Sequence, residues 1–430
     1  MRISIELGRE DGRACARAVV EWEQRQRPPT VVRVACDAEG FGGSPGDAFL
    51  TACFVPALRF GEKRIAVDRP VCPRLVDGLR TAAGIFHNWE AGLPDAPAIE
   101  AARAASLPPG PRRAALFFTG GLDSLFLLHE NRRTTPRDHP ASFRDSVWVA
   151  GLDFSAPAAA PEGPGPLPRG QGDPGLLDLC RSIGAEPVTV STNLLDLDHD
   201  FASFGRYGIG ASLAGIAHLM SARIHSASIA SGWDIPRLIP WGTHPFLDPR
   251  YASAAVAIRH ENAGVPRLEK LVRLAREWPG ALARIVVCNY RPAAPVPNCG
   301  RCYKCVETRT ALEAIGFSAE TFGRAPVTPN DVAGITVTSP YVDYWESLAG
   351  LLRAGGKSDL ADAARDRIAR ARRHQEWLED LGWKGRLRRW DRRVFGGRTG
   401  TAYRFLRGSG SRGRATGSSP VPPGSLDGQK

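Results

Sequence analysis

Two groups of residues in this 430-residue chain have the types and spacing that chemistry needs. The first is Thr119-Gly120-Gly121-Leu122-Asp123-Ser124. It follows the apolar run AALFF at residues 114–118 and opens a helical pattern of Leu122, Leu125, Phe126 and His129. A strand, a glycine turn and a helix start aim free backbone N–H groups and the positive end of a helix dipole at an anion. Two adjacent glycines let the backbone approach a phosphate with no Cβ in the way, and Thr119 and Ser124 add hydroxyls. Asp123 would repel phosphate unless a cation lay between them, which makes it a magnesium-side residue. The plainer reading is a Gly-Gly turn in an ordinary βα unit.

The second group is Cys288, Cys299, Cys302 and Cys305, spaced C-x10-C-x2-C-x2-C. Four thiolates with two overlapping C-x2-C steps match the tetrahedral ligation of structural zinc, and Gly300 suits the tight turn. An iron–sulfur cluster takes the same four ligands. A redox C-x2-C pair would leave two cysteines without a role. With every position filled by sulfur no site remains for an activated water, so the metal is expected to be structural. Cys15, Cys36, Cys53, Cys72 and Cys180 are scattered and read as reduced core residues.

Two further stretches carry weaker signals. Residues 231–251, SGWDIPRLIPWGTHPFLDPRY, hold four prolines with Trp233, Asp234, Trp241, His244 and Asp248. Long ordered loops of this kind often touch substrate, although a proline-stiffened connector accounts for the same residues. His244 is the candidate general base or hydrogen-bond partner. In the helix expected to end near Trp278, Arg267 and Lys270 share a face at i, i+3. Cations there could neutralise a departing pyrophosphate, or line a solvated helix face.

The glycine loop is neither a Walker P-loop nor a dinucleotide fingerprint, since both spacings are absent. It resembles the S-G-G-x-D-S loop of the PP-loop ATP pyrophosphatases, with Thr119 where those have serine. Together with the four cysteines and the nearby Arg309, the chain between residues 114 and 316 resembles the 7-cyano-7-deazaguanine synthase family within that group. The 233–250 stretch does not look like that family's purine-reading segment, so the likeness concerns the branch and not the substrate. The resemblance implies ATP, Mg2+ and Zn2+ as cofactors and an adenine nucleotide alpha hydrolase-like core. It implies adenylation of a carboxylate or amide oxygen on a small-molecule substrate, release of pyrophosphate and attack by a nitrogen nucleophile. Thr119, Gly120, Gly121 and Ser124 would hold the phosphates, Asp123 the magnesium, and Asp153 the surroundings of the nucleoside. Lys270 and His244 join Asp123 as catalytic candidates. Two other readings are a tRNA-modifying PP-loop enzyme and a nucleotide-binding regulatory protein without turnover.

The elements that must position these residues read as an α/β fold with a doubly wound parallel sheet. After the strand at 114–118 come apolar strands at 147–152, 186–190 and 226–231, with helices at 176–183 and 210–222 between them. A fifth short strand is expected at 284–287, and residues 156–175 read as a Pro/Gly/Ala-rich loop. Ligands in such sheets sit beyond the carboxyl ends of the strands, where the loop at 119–124, Asp153 and the segment from Ser231 all fall. Residues 1–112 read as an α+β domain of their own, a candidate lid or homodimer surface, closed by the linker LPPGP at 107–111. In it a helix is expected over 47–60, with Pro56 as a kink or break, and a second is expected within 70–83. The core with its cysteine knuckle spans 113–320. Residues 321–395 are expected to be helical, with stretches at 341–352 and 360–381. Residues 396–430 are expected to be a disordered basic tail.

Charge separates the regions. Residues 351–430 carry 19 Lys and Arg against 8 Asp and Glu, leaving 37 of each sign among residues 1–350. A neutral body argues against a large nucleic-acid groove on it and confines that option to residues 351–430, whose run KGRLRRWDRR at 384–393 could equally lie on an anionic membrane or form a solvated face. No apolar segment is long enough for a transmembrane helix, and MRISIELGREDGR lacks a secretory h-region. The expected compartment is cytoplasmic.

Overall fold

The computed structural model describes residues 1–25, 27–104, 111–152, 167, 173–198, 203–288, 296–323, 325–379 and 390. Asp153, most of the Pro/Gly/Ala-rich loop and of the 107–111 linker, and all of the tail from residue 396 lie outside them. The chain divides into two compact units, with the boundary between Pro326 and Val327.

The first unit is built on one ten-stranded sheet. Its strands are β1 Arg2–Glu10, β2 Arg13–Glu21, β3 Thr30–Cys36, β4 Arg64–Val67, β5 Ala98–Glu100, β6 Arg113–Phe117, β7 Phe143–Ala150, β8 Glu186–Thr192, β9 Ile224–Ala230 and β10 Ala257–Glu261. The spatial order is β10-β9-β6-β7-β8-β3-β2-β1-β4-β5. From β10 to β8 every pairing is parallel. In β6 and β7 the residues are buried almost continuously, as strands covered on both faces must be. In β1 the buried Ile3 and Ile5 alternate with exposed Arg2, Ser4 and Glu6.

Residues 1–112, which read as a separate domain, are continuous with this sheet. Strand β3 runs antiparallel to β8, with Val34 opposite Thr192 and Cys36 opposite Val190. One apolar core runs from Met1 and Ile3 through Phe49 and Phe54 to Ala227, Ile229 and Ile258. The helices meet across the same divide. Helix α1, Pro45–Phe60, packs on a helix of the 113–326 segment, Ile209–Leu219, where a Cβ on Gly215 would lie 2.8 Å from the Ala48 carbonyl oxygen. Helix α1 continues through Pro56 without ending. Residues 46–58 are all buried, and that apolar burial outweighs the hydrogen bond that proline removes. Helix α2 spans Pro73–Trp89, longer than its sequence pattern indicated.

In the parallel part the chain lays down β6, β7 and β8 in one direction, then returns past β6 to place β9 and β10. The reversal falls between β6 and β9, and the crevice beyond their carboxyl ends is where open α/β sheets take ligands. Helix α3, Leu122–Thr134, leaves β6 at that point, and α4, Pro174–Ser182, precedes β8. Helix α5, Ile209–Leu219, precedes β9, and α6, Arg267–Glu277, follows β10. Helix α7, Tyr303–Ala314, starts just after Cys302 and carries Cys305 in its first turn. The strand expected at 284–287 is absent: residues 285–288 have no regular structure, and their polar groups bond to the glycine loop and to Asn298.

The second unit is helical in its described part. Helix α8, Pro329–Gly334, starts in a reciprocal cap. The Asp331 N–H donates to Thr328 Oγ1 at 3.2 Å, and Asp331 Oδ2 accepts the Thr328 N–H at 2.9 Å. Helix α9, Val342–Ala354, buries Trp345, Leu348, Ala349 and Leu352, and packs against α10, Ser358–Glu379. The buried stripe of α10 is Leu360, Ala361, Ala364 and Ile368. Among the described residues no helix is long and apolar enough to cross a membrane.

Candidate phosphate site and metal centre

The glycine loop closes the gap between β6 and α3 with bonds of its own. Gly120 sits at φ +75°, a left-handed conformation that glycine adopts without strain. A Cβ there would also come within 2.5 Å of Leu176 Cδ1 on α4. Gly121 is the residue before the helix, and its carbonyl accepts the Leu125 N–H at 2.9 Å. Its own N–H donates to Thr119 Oγ1 at 3.3 Å. Ser124 Oγ accepts the Thr119 N–H at 3.3 Å and lies 3.3 Å from Thr119 Oγ1. The two hydroxyls read from sequence as phosphate donors thus brace the turn. The first turn of α3 supplies the N–H groups that a helix start leaves without intrahelical partners.

Asp123, in that first turn, is held by protein cations. Its Oδ2 pairs with Arg267 Nη1, and its Oδ1 accepts from Lys270 Nζ at 3.2 Å. Lys270 also donates to the Ser231 carbonyl at 2.6 Å, so one ammonium joins the end of β9 to the loop after β6. The Lys270 side chain is 1% exposed. Burial lowers its pKa below the ordinary 10.5 and the Arg267 charge adds to that, while Asp123 opposes both. Arg267 reaches the other way as well, its Nε donating to Glu307 Oε1 at 3.0 Å. Arg267 and Lys270 therefore both stand at the glycine loop. Glu307, which no sequence signal had marked, completes the group.

His244 has a different setting. Its ring is 5% exposed and packs edge-on to Trp89 of α2, with centroids 4.9 Å apart. Its Nδ1 accepts the Phe246 N–H at 3.1 Å, and its backbone N–H donates to Asp248 Oδ1 at 3.3 Å. These contacts tie His244 into the 231–251 loop and against α2. Fully buried Asp248 also pairs with His260 Nδ1 at 2.8 Å. Asp234 pairs with Arg237 at 2.7 Å.

The four cysteines come together as their spacing predicts, with all four sulfurs within 4.8 Å of one another. Metal–sulfur bonds of about 2.3 Å in a tetrahedron hold sulfurs about 3.8 Å apart. Cys299 Sγ and Cys305 Sγ are 3.8 Å apart. The Cys302 N–H donates to Cys299 Sγ at 3.3 Å. Gly300, at φ +71°, makes the turn between them. Buried Asn298 ties the arms together: its Oδ1 accepts the N–H groups of Val287 and Cys288 at 2.8 and 3.1 Å, and its Nδ2 donates to the Ile285 carbonyl at 2.8 Å. Arg309 donates to the Gly300 carbonyl at 2.8 Å and to the Ala325 carbonyl. Hydrogen bonding to Cys288, ahead of burial, pushes the Cys302 thiol up to about 11 and raises Cys305 further. Four thiolates in this space require a cation, and the donor set fits zinc or another thiophilic ion.

A second cluster, His129, Glu130 and Glu277, has metal-like spacing. Arginines already occupy its carboxylates, however. Glu130 pairs with Arg133 at 2.9 Å and with Arg273, and Glu277 pairs with Arg276 and with His129 at 2.9 Å. It fastens α3 to α6.

Compared with family models, curated proteins and solved structures, the chain matches none. The site must be read from its own geometry. A glycine turn, a helix start and two cations lie at the switch point of a parallel sheet, and a cysteine centre is bonded to the same loop. Such a group can hold a polyphosphate and neutralise charge that develops on it.

Proposed function

We propose that the protein is an ATP-dependent PP-loop enzyme of ligase type. It adenylates a carboxylate or amide oxygen of a small molecule, releases pyrophosphate and passes the activated group to a nitrogen nucleophile. One observation carries this reading: the loop from Thr119 to Ser124 joins β6 to α3 at the point where the order of the parallel strands reverses. Nucleotides in open α/β folds generally bind at such a point.

The chain's own residues then have defined tasks. The start of α3 and the Gly120-Gly121 backbone bind the phosphates, with Thr119 and Ser124 holding the turn in shape. Arg267 and Lys270 face the charge that grows on the leaving pyrophosphate, and Asp123 keeps both in place. Catalysis in such a site is positioning and charge neutralisation, with little covalent work for side chains. ATP would bring Mg2+, held largely by phosphate oxygens and water, with Asp123 shared between it and the two protein cations. The cysteine centre has no open position and serves structure.

The test is exchange of labelled pyrophosphate into ATP, run with pools of small carboxylates and amides. Exchange that depends on one substrate class supports the reading. ATP binding without exchange or pyrophosphate release in any pool would make the chain a nucleotide-binding regulator instead.

A further inference from the structure

Two separate paths run from the cysteine centre to the phosphate loop. The first starts at Cys288. Two residues before it, the Val286 N–H donates to the Gly120 carbonyl at 2.9 Å, and the Val286 carbonyl oxygen would lie 3.5 Å from a Cβ on Gly121. The second starts at Cys305. Two residues after it on α7, the buried Glu307 accepts from Arg267 Nε at 3.0 Å, and Arg267 holds Asp123 on the far side of the loop. The sulfur cluster therefore grips the loop at Gly120 and at Asp123. Each path is two residues of backbone followed by hydrogen bonds or ion pairs.

We propose that metal in the cysteine centre shapes the phosphate loop, so that metal occupancy sets nucleotide affinity, with Glu307 as the positioning residue that aims Arg267. Asn298 makes the first path stiff, because it bonds both Val287 and Cys288. The buried side chain of Glu307, 3% exposed, makes the second directional: with this carboxylate gone, Arg267 Nε loses its buried acceptor. Where a metal holds Cys288 and Cys305 at tetrahedral distance, the spacing between Gly120 and Asp123 is held too. This inference rests on the reading that the loop takes ATP.

The experiment uses the full chain, zinc-loaded and chelated, with Mg2+·ATP as the probe in calorimetry and amide hydrogen exchange followed at residues 119–124. Wild-type chain is expected to lose ATP affinity and to exchange faster at 119–124 when chelated. Zinc-loaded Glu307→Gln, with its zinc content unchanged, is expected to bind ATP about three- to tenfold more weakly and to exchange faster at 119–124. Glu307→Asp, which keeps the charge, should recover most of the affinity. If chelation unfolds the chain, the zinc-loaded variants still decide the matter. Wild-type affinity and exchange in Glu307→Gln would overturn the inference. If wild type fails to bind ATP while exchange at 119–124 still responds to Glu307→Gln, the ATP reading falls and the coupling stands.

Discussion

Asp123 has partners that its sequence setting does not show. Beside two glycines and a hydroxyl it reads as a magnesium ligand. In the fold its carboxylate is the seat of two protein cations that arrive from 144 and 147 residues away. The loop itself was legible because its parts are neighbours in the chain. The Arg267–Glu307 bond was not, since its partners are 40 residues apart and neither belongs to a spaced motif. The packing of His244 was hidden for a related reason. A lone histidine in a proline-rich loop shows its ring chemistry but not its packing, and here Trp89 and Phe246 take the ring. The structure makes a clear prediction for Asp123→Asn. Removing the charge frees Arg267 and Lys270 from the loop while deleting almost no packing, so pyrophosphate exchange should drop by about a hundredfold or more. Thermal unfolding should stay within a few degrees of wild type. Wild-type exchange rates in the variant would show that the two cations need no carboxylate to hold them.

Elements were legible where a pattern is local and lost where burial decides. The cysteine knuckle is the clearest case, because C-x10-C-x2-C-x2-C announces its own geometry and the sulfurs do converge. One zinc per chain is the expected elemental analysis, and iron in its place would move the centre to a cluster. Structural zinc contributes about 10–16 kcal/mol of apparent binding free energy in finger peptides. Cys302→Ser should therefore yield a chain of low stability, and a stable chain lacking activity would contradict a structural role. Helix α1 shows the opposite situation: Pro56 marks a break that the burial of residues 46–58 overrides. Helix α3 owes its placement to contacts with α6, where Arg273 lies 4.8 Å over the Phe126 ring and also pairs with Glu130. The Arg133 hydrogen bond, with Arg273 beside it, brings Glu130 from 4.5 down to about 2. A depressed carboxylate stabilises the fold above its unfolded pKa and loses that contribution as pH falls through its folded one. Glu130→Gln should thus be less stable than wild type by about 1 kcal/mol at pH 7, given partial exposure of the network. The difference should vanish as pH drops from 4.5 toward 2, as denaturant titrations at several pH values would show.

At the scale of the molecule, the alternation of strands and helices after residue 113 was readable as a parallel sheet. Its union with residues 1–112 was not, because the join is a single antiparallel pairing of β3 with β8, about 155 residues apart in the chain. Nothing in either strand names its partner. Charge is a whole-chain property that sequence does report, and it bears on which substrate the proposed enzyme takes. The body of 350 residues is balanced, and the entire excess of +11 falls in residues 351–430. The loop, the two cations and the cysteine centre all belong to the unit Met1–Pro326. With a small-molecule substrate, deleting residues 396–430 should leave kcat and KM nearly unchanged, since none of the proposed binding groups is removed. Cutting back to Trp383 should alter adsorption to anionic vesicles at most. With an RNA substrate the tail would hold phosphates, and each lost contact should flatten the salt dependence of binding by about one unit of slope. Turnover measured from low to high salt in the full chain and in both truncations separates the two. A steep salt dependence that disappears with residues 396–430 would assign the substrate to RNA and make the basic tail its handle.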